Sequence, residues 1–245
     1  IGGFYYSNSA RDTDGFLPDL ESTAQALMFM TNSGMLVDYQ EKCKNALSPD
    51  MVEDIVSFTK ELQSSADGYF YHPQWGKEIG LSRRSRDFNW CLGILKSFGK
   101  EKRYQTILDK KTEVEKGETL IPDHLSSKEK FLKYLEDGNI AENSYSLGNQ
   151  LSCQGAQIKA MGLADVAIDY LNAHQHPECG HWHSETNYRA VNGVMKITGF
   201  YQNMGKPIPN AYRAAESAMN AIISDEPIGA VVDLWNTWEA VSRIR

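Results

Sequence analysis

ENSYSLGNQLSCQGAQIKAMG (residues 142–162) and ETNYRAVNGVMKITGFYQNMG (residues 185–205) are two copies of one pattern. Glu142, Tyr145, Asn149 and Met161-Gly162 recur as Glu185, Tyr188, Asn192 and Met204-Gly205 at one constant offset of 43 residues. Matched positions at a single offset define an internal repeat. Both copies end at a glycine, the residue that takes the left-handed turn just past a helix end. Ser33-Gly34 and Phe98-Gly99 close two further segments in the same way. One of these, RDFNWCLGILKSFG, carries the stripe Phe88, Cys91, Leu92 and Leu95. Trp90, Ile94 and Phe98 extend its apolar surface, so this helix is expected to be buried on most sides.

Helices of a second kind lie between these. Ser48-Pro49-Asp50 reads as a cap, a proline in the first turn and an acid beside it. MVEDIVSFTKEL follows, with Met51, Ile55, Phe58 and Leu62 on one face, the pattern of a one-sided surface helix. Tyr212, Ala215, Met219 and Ile222 repeat it. Gly3-Phe4-Tyr5, Gly68-Tyr69-Phe70 and Gly180-His181-Trp182 each close a surface helix. The unit is therefore inner helix, glycine, outer helix, glycine-aromatic turn. Strict strand alternation is nearly absent, so the fold class is all-α. Residues 100–137, rich in Lys and Glu, form the irregular region and are expected to hold an outer helix with an exposed insertion. No inter-domain linker is visible, and residues 1–245 read as a single domain.

With 245 residues, 41% hydrophobic and 23% charged, the chain is long enough and apolar enough to bury a core. A net charge of −7 argues against a nucleic-acid partner, which wants a basic face. No apolar run is long enough for a membrane span. Cys43, Cys91, Cys153 and Cys179 are scattered, with no Cys-x-x-Cys pair, so no disulfide framework is implied and the compartment stays open.

Helical hairpins closed by a glycine-aromatic turn resemble the α/α toroid of terpenoid cyclases, prenyltransferase β subunits and toroidal polysaccharide lyases and hydrolases. The resemblance covers the whole chain at the level of repeat pattern. It implies parallel inner helices round a funnel, wrapped by outer helices. About four hairpins are expected, an open or partial toroid, with the chain beginning at the end of an outer helix and stopping within an inner one from Trp235 onward. Counting back from the capping glycines places Glu21, Arg86, Asn149 and Asn192 at one level near the inner-helix N-termini. Pro18, Arg83, Ser146 and Arg189 fall one turn earlier. Such a mouth, with aligned positive helix ends, suits a polar or anionic ligand.

Three chemistries follow from the resemblance. PDLESTAQAL, Pro18 to Leu27, is similar to the cyclases' acidic motif D-x-D-D-T-A. Asp19 and Thr23-Ala24 match, Glu21 stands in the proton donor's place, and Ser22 replaces the last acid. An isoprenoid substrate would need an aromatic cavity. A prenyltransferase-like zinc site would draw on Cys179, His181 and His183 with Glu178 nearby, but ligand pairs from separate segments are missing, so no metal and no cofactor are assigned. Toroidal lyases use Arg or Asn to neutralise a uronate carboxylate and Tyr or His to take the neighbouring proton. Hydrolases use two carboxylates. This third chemistry, a lyase or hydrolase acting on a polar or anionic oligosaccharide, is the leading expectation. Its catalytic candidates are Tyr188, His183 and Glu21. Its substrate-binding candidates are Arg83, Arg86, Asp87, Asn149, His181, Trp182, Asn187, Arg189 and Asn192. Because Tyr188 and Asn192 recur at 145 and 149, architecture explains part of this set. His181, His183, Asn187 and Arg189 have no copies and carry the functional expectation. A non-catalytic binding toroid is the remaining alternative.

Overall fold

The computed structural model describes residues 2–34, 47–109, 121–185 and 187–244. Cys43 lies outside them. Every regular element among the described residues is helical, and extended backbone pairs only at isolated bridges such as Phe4 with Asp19. No helix among the described residues is long and apolar enough to cross a membrane. The chain divides into two compact units, Ile1–Leu120 and Ile121–Arg245.

The first unit holds α1 (Asn8–Arg11), α2 (Leu20–Asn32), α3 (Pro49–Glu61) and α4 (Leu81–Ser97). Each start has a local cause. Asp19 caps α2, its carboxylate accepting from Ser22 N at 2.9 Å. Ser48 caps α3, accepting from Met51 N at 3.2 Å, with Pro49 in the first turn as the sequence predicts. Ala24, Leu27, Leu47, Ile55 and Ile94 form a core cluster, flanked by Phe4, Trp90 and Phe98. The buried face of α3 is Ile55, Val56 and Thr59; of the expected stripe Ile55 is buried, Phe58 and Leu62 are half-buried and Met51 is exposed, so the helix is turned slightly from that stripe.

The second unit alternates two helix types. The short helices are α5 (Lys128–Asp137), α7 (Ala164–His174) and α9 (Ala211–Ile222). The others are α6 (Ile140–Ala160), α8 (Tyr188–Met204) and α10 (Val231–Arg243). α6 and α8 lie side by side and parallel, because contacts between them advance together. A Cβ on Gly193 would fall 2.1 Å from Ser144 Oγ, one on Gly148 would fall 2.8 Å from Ile197 Cγ1, and one on Gly155 would meet Asn203. α8 and α10 are parallel for the same reason: Asn192 Nδ2 donates to Asp233 near their starts, and Gln202 Nε2 donates to the Arg243 carbonyl near their ends. α10 begins at Val231, four residues before the expected Trp235.

The repeat is visible in the caps. Lys100 N donates to Leu95 O at 2.8 Å, Leu163 N to Ile158 O at 3.0 Å, and Lys206 N to Tyr201 O at 3.0 Å. Each bond wraps a glycine in the left-handed region, Gly99, Gly162 or Gly205, closing the same helix-ending motif three times. The two long copies start differently. α8 starts after its cap Asn187. α6 carries an additional turn ahead of the matching point, joined through non-helical Asn143 (φ −129°, ψ 34°).

The glycine-aromatic turns obey a tighter rule than the sequence shows. A Cβ on Gly180 would lie 2.3 Å from Ala214 N, and one on Gly68 would lie 2.1 Å from the Gln105 carbonyl oxygen. Gly2, which approaches the Asp54 carbonyl in the same way, is therefore the true counterpart, and Phe4 matches Phe70 and Trp182. Close approach also decides the face of α9. Ala214, Ala218 and Ala221 are buried, while Tyr212 and Met219 of the expected stripe are exposed. A large residue at 214 would push α9 away from the turn at Gly180. A glutamine fastens two of these turns. Gln63 Nε2 donates to the Gly68 carbonyl (3.1 Å) and the Tyr104 carbonyl (3.0 Å), and its Oε1 accepts from Arg103 N and Tyr104 N. Gln175 Nε2 donates to the Gly180 carbonyl at 2.7 Å, and its Oε1 accepts from Asn210 Nδ2 at 3.2 Å.

Candidate functional site

In the first unit the expected residues gather where α2 and α4 begin. Arg83 reaches three carboxylates: Asp19 at 3.1 Å, Asp87 at 3.0 Å, and Glu21. Arg86 adds a contact to Glu21 at 3.3 Å and lies over the Trp90 ring. The other Glu21 oxygen accepts from Gln25 at 3.0 Å. Asp19 is also the α2 cap, so part of the acidic motif serves the backbone. Asp87 is fully buried. Burial pushes its carboxyl up to about 6, against the pull of Arg83 and reinforced by Glu21 and Asp19. His72, absent from the sequence-based set, stacks on Trp75 at 4.0 Å, and burial holds its imidazole below the ordinary histidine value.

In the second unit the expected residues gather around the start of α8. Asn187 is the cap: its Oδ1 accepts from Ala190 N at 3.1 Å, and its Nδ2 donates to Glu185 at 2.7 Å. Tyr188 is buried, and its N–H donates to the Glu226 carboxylate at 3.1 Å. That carboxylate sits at the positive end of α8, where a negative charge is favoured. His183 is buried, and its Nδ1 accepts from Glu185 N at 3.0 Å. The proton therefore sits on Nε2, a buried donor with no partner among the described residues. Asn192 donates to Asp233 at 3.0 Å. Its Oδ1 has no partner among the described residues. Arg189 is exposed and makes no ion pair among the described residues. Asn149, on α6, is half-buried and accepts from Cys153 Sγ at 3.9 Å. Trp182 is in the core, its indole N–H donating to the Leu171 carbonyl at 2.7 Å, so it anchors the turn and faces no solvent.

A cleft of about 340 Å³ opens beside this start, lined by His181, Asn187, Val191, Ser217, Asn220, Ala221, Ser224 and Glu226. That volume is at the small end of the range for small-molecule sites. Most of the lining can hydrogen-bond. The sequence-based set contained His181 and Asn187 but missed the wall from α9 and the loop after it. The one available signal was the shared spacing Gln63-Gly68-Phe70 and Gln175-Gly180-Trp182, which fixes where the next outer helix docks. Among the described residues no group of three or more His, Cys, Asp or Glu side chains is placed to hold a metal ion.

Among the described residues, most buried polar side-chain atoms that lack partners fall near helix starts. They include Ser85 Oγ and Asp87 Oδ2 on α4, Ser144 Oγ on α6, and Asn192 Oδ1 on α8. Such groups are scarce in folded proteins, because each costs about 1–3 kcal/mol. The chain matches no protein-family model, no curated protein and no solved structure.

Proposed function

We propose that this is a carbohydrate-active protein, a lyase or hydrolase whose site lies at the N-terminal ends of toroid-like inner helices. One observation carries the reading: in the second unit the start of α8 borders a cleft rich in amides, hydroxyls and a carboxylate. A site prepared for a polyhydroxylated ligand presents such groups.

The ion pairs divide the cations. Arg83 and Arg86 hold Glu21 in place, whereas Arg189 is left to meet a substrate carboxylate. Asn187 orients the sugar from the cleft wall. Tyr188 takes the proton next to the carboxylate in a lyase, and the His183 Nε2–H is the matching donor. In a hydrolase, Glu226 is the carboxylate closest to the cleft. The isoprenoid alternative draws nothing from this lining, which is polar.

The test is a screen of uronate-containing polysaccharides for the absorbance of an unsaturated product, with reducing-sugar release measured in parallel. Arg189→Ala should lower kcat/KM by about 10- to 100-fold, the loss of one charge-assisted hydrogen bond. Neither product nor reducing sugar from any polysaccharide overturns the reading.

A further inference from the structure

The turn after α7 holds a second reactive arrangement. Cys179 Sγ lies 3.3 Å from His181 Nδ1. The backbone between them is tied at every carbonyl. Ser217 Oγ donates to the Cys179 carbonyl at 2.7 Å, Gln175 Nε2 to the Gly180 carbonyl at 2.7 Å, and His176 N to the His181 carbonyl at 2.9 Å. Gly180 has φ +74° and no room for a side chain, so the bend that pairs the two residues is fixed. His181 is 1% exposed and lines the cleft, while Cys179 is half-buried and keeps a path to solvent.

The three described cysteines differ in their surroundings. Cys91 is sealed in the core, where burial pushes its thiol up. Cys153 faces the amide oxygen of Asn149, which is not a base. Cys179 faces an imidazole. Burial lowers the affinity of His181 for a proton, outweighing the favourable His183 main-chain contact, and His176 and His183 lower it further. A neutral imidazole nitrogen beside a thiol is the arrangement that generates a thiolate at the moment of attack.

We propose that Cys179 and His181 form a thiol–imidazole pair that makes Cys179 a nucleophile toward small, polar electrophiles that reach it from solvent. The step does not depend on the carbohydrate reading. Cys179 Sγ forms a bond to an electrophilic carbon, the bond from that carbon to its leaving group breaks, and the leaving group departs with the electron pair. The thiol proton passes to His181 Nδ1 and from there to water.

Iodoacetamide, whose leaving group is iodide, is the probe. The full chain is alkylated near pH 7, and each cysteine is followed by peptide mass mapping. Cys179 should react about tenfold or more faster than Cys153, and His181→Asn should slow Cys179 by about tenfold while leaving Cys153 unchanged. Equal rates at Cys179 and Cys153 in the unaltered protein overturn the proposal. So does an unchanged Cys179 rate in His181→Asn. Cys91 reports on folding, since it reacts only if the core opens. Should His181→Asn expose Cys91, Ser217→Ala decides instead. It loosens the Cys179 carbonyl and keeps the imidazole, so slower labelling of Cys179 supports the pair and an unchanged rate refutes it. None of these outcomes involves a polysaccharide, so failure here is separable from failure of the glycan screen.

Discussion

Asp87 shows what a single residue carries in this protein. Its carboxyl is fully buried, with one oxygen on Arg83 and the other without a partner among the described residues. Folding moves it from an ordinary 3.8 to about 6. Between those values the folded state binds the proton more tightly than the unfolded chain does. Stability therefore falls as pH rises from about 4 to about 6, and the deficit is complete above that window. The interval corresponds to about 3 kcal/mol. Asp87→Asn should remove most of this slope, as measured by urea unfolding at several pH values between about 4 and 7. An unchanged slope would show that another group dominates. The sequence placed Asp87 and its neighbours at a helix start, because helix register is a local property. It did not show that Arg83 would be shared among three carboxylates, because two of these lie more than sixty residues away.

At the scale of the element, spacing between helices is set by glycines whose roles differ. Gly193 sits against Ser144 of the parallel neighbour, with no room for a methyl group. Gly193→Ala should destabilise by about 2 kcal/mol, the cost of overpacking a close contact. Gly93, in the middle of α4, faces open space. Gly93→Ala should stabilise by about 0.5–1 kcal/mol through helix propensity alone. Denaturant unfolding of the pair gives opposite signs if interhelical spacing, rather than glycine content, governs stability. The capping glycines were legible in the sequence, since the left-handed turn is dictated by the chain beside it. The buried face of α9 was not. Periodicity picks out the largest apolar side chains, whereas docking against a glycine turn selects the smallest, which is why Ala214 and Ala218 are buried and Tyr212 is exposed.

At the scale of the molecule, each compact unit has its own buried core. The second contains Phe131, Leu135, Leu147, Leu151, Ile158, Leu171, Trp182, Phe200 and Tyr201. Residues 121–245 expressed alone should therefore fold, giving a helical circular dichroism spectrum and one cooperative thermal transition. A spectrum without a transition would show that this core depends on the rest of the chain. Gln63 and Gln175 add a further consequence. Each ties its turn to the stretch that follows it, the main chain at Arg103 and Tyr104 in one case and the α9 cap Asn210 in the other. A fastening that reaches only to the next segment makes the array modular in heredity. Duplicating or deleting one whole hairpin brings a like segment to each clasp, whereas a cut within a hairpin leaves a glutamine without the segment it holds. Lineages of such chains would vary by whole hairpins and rarely by parts of one.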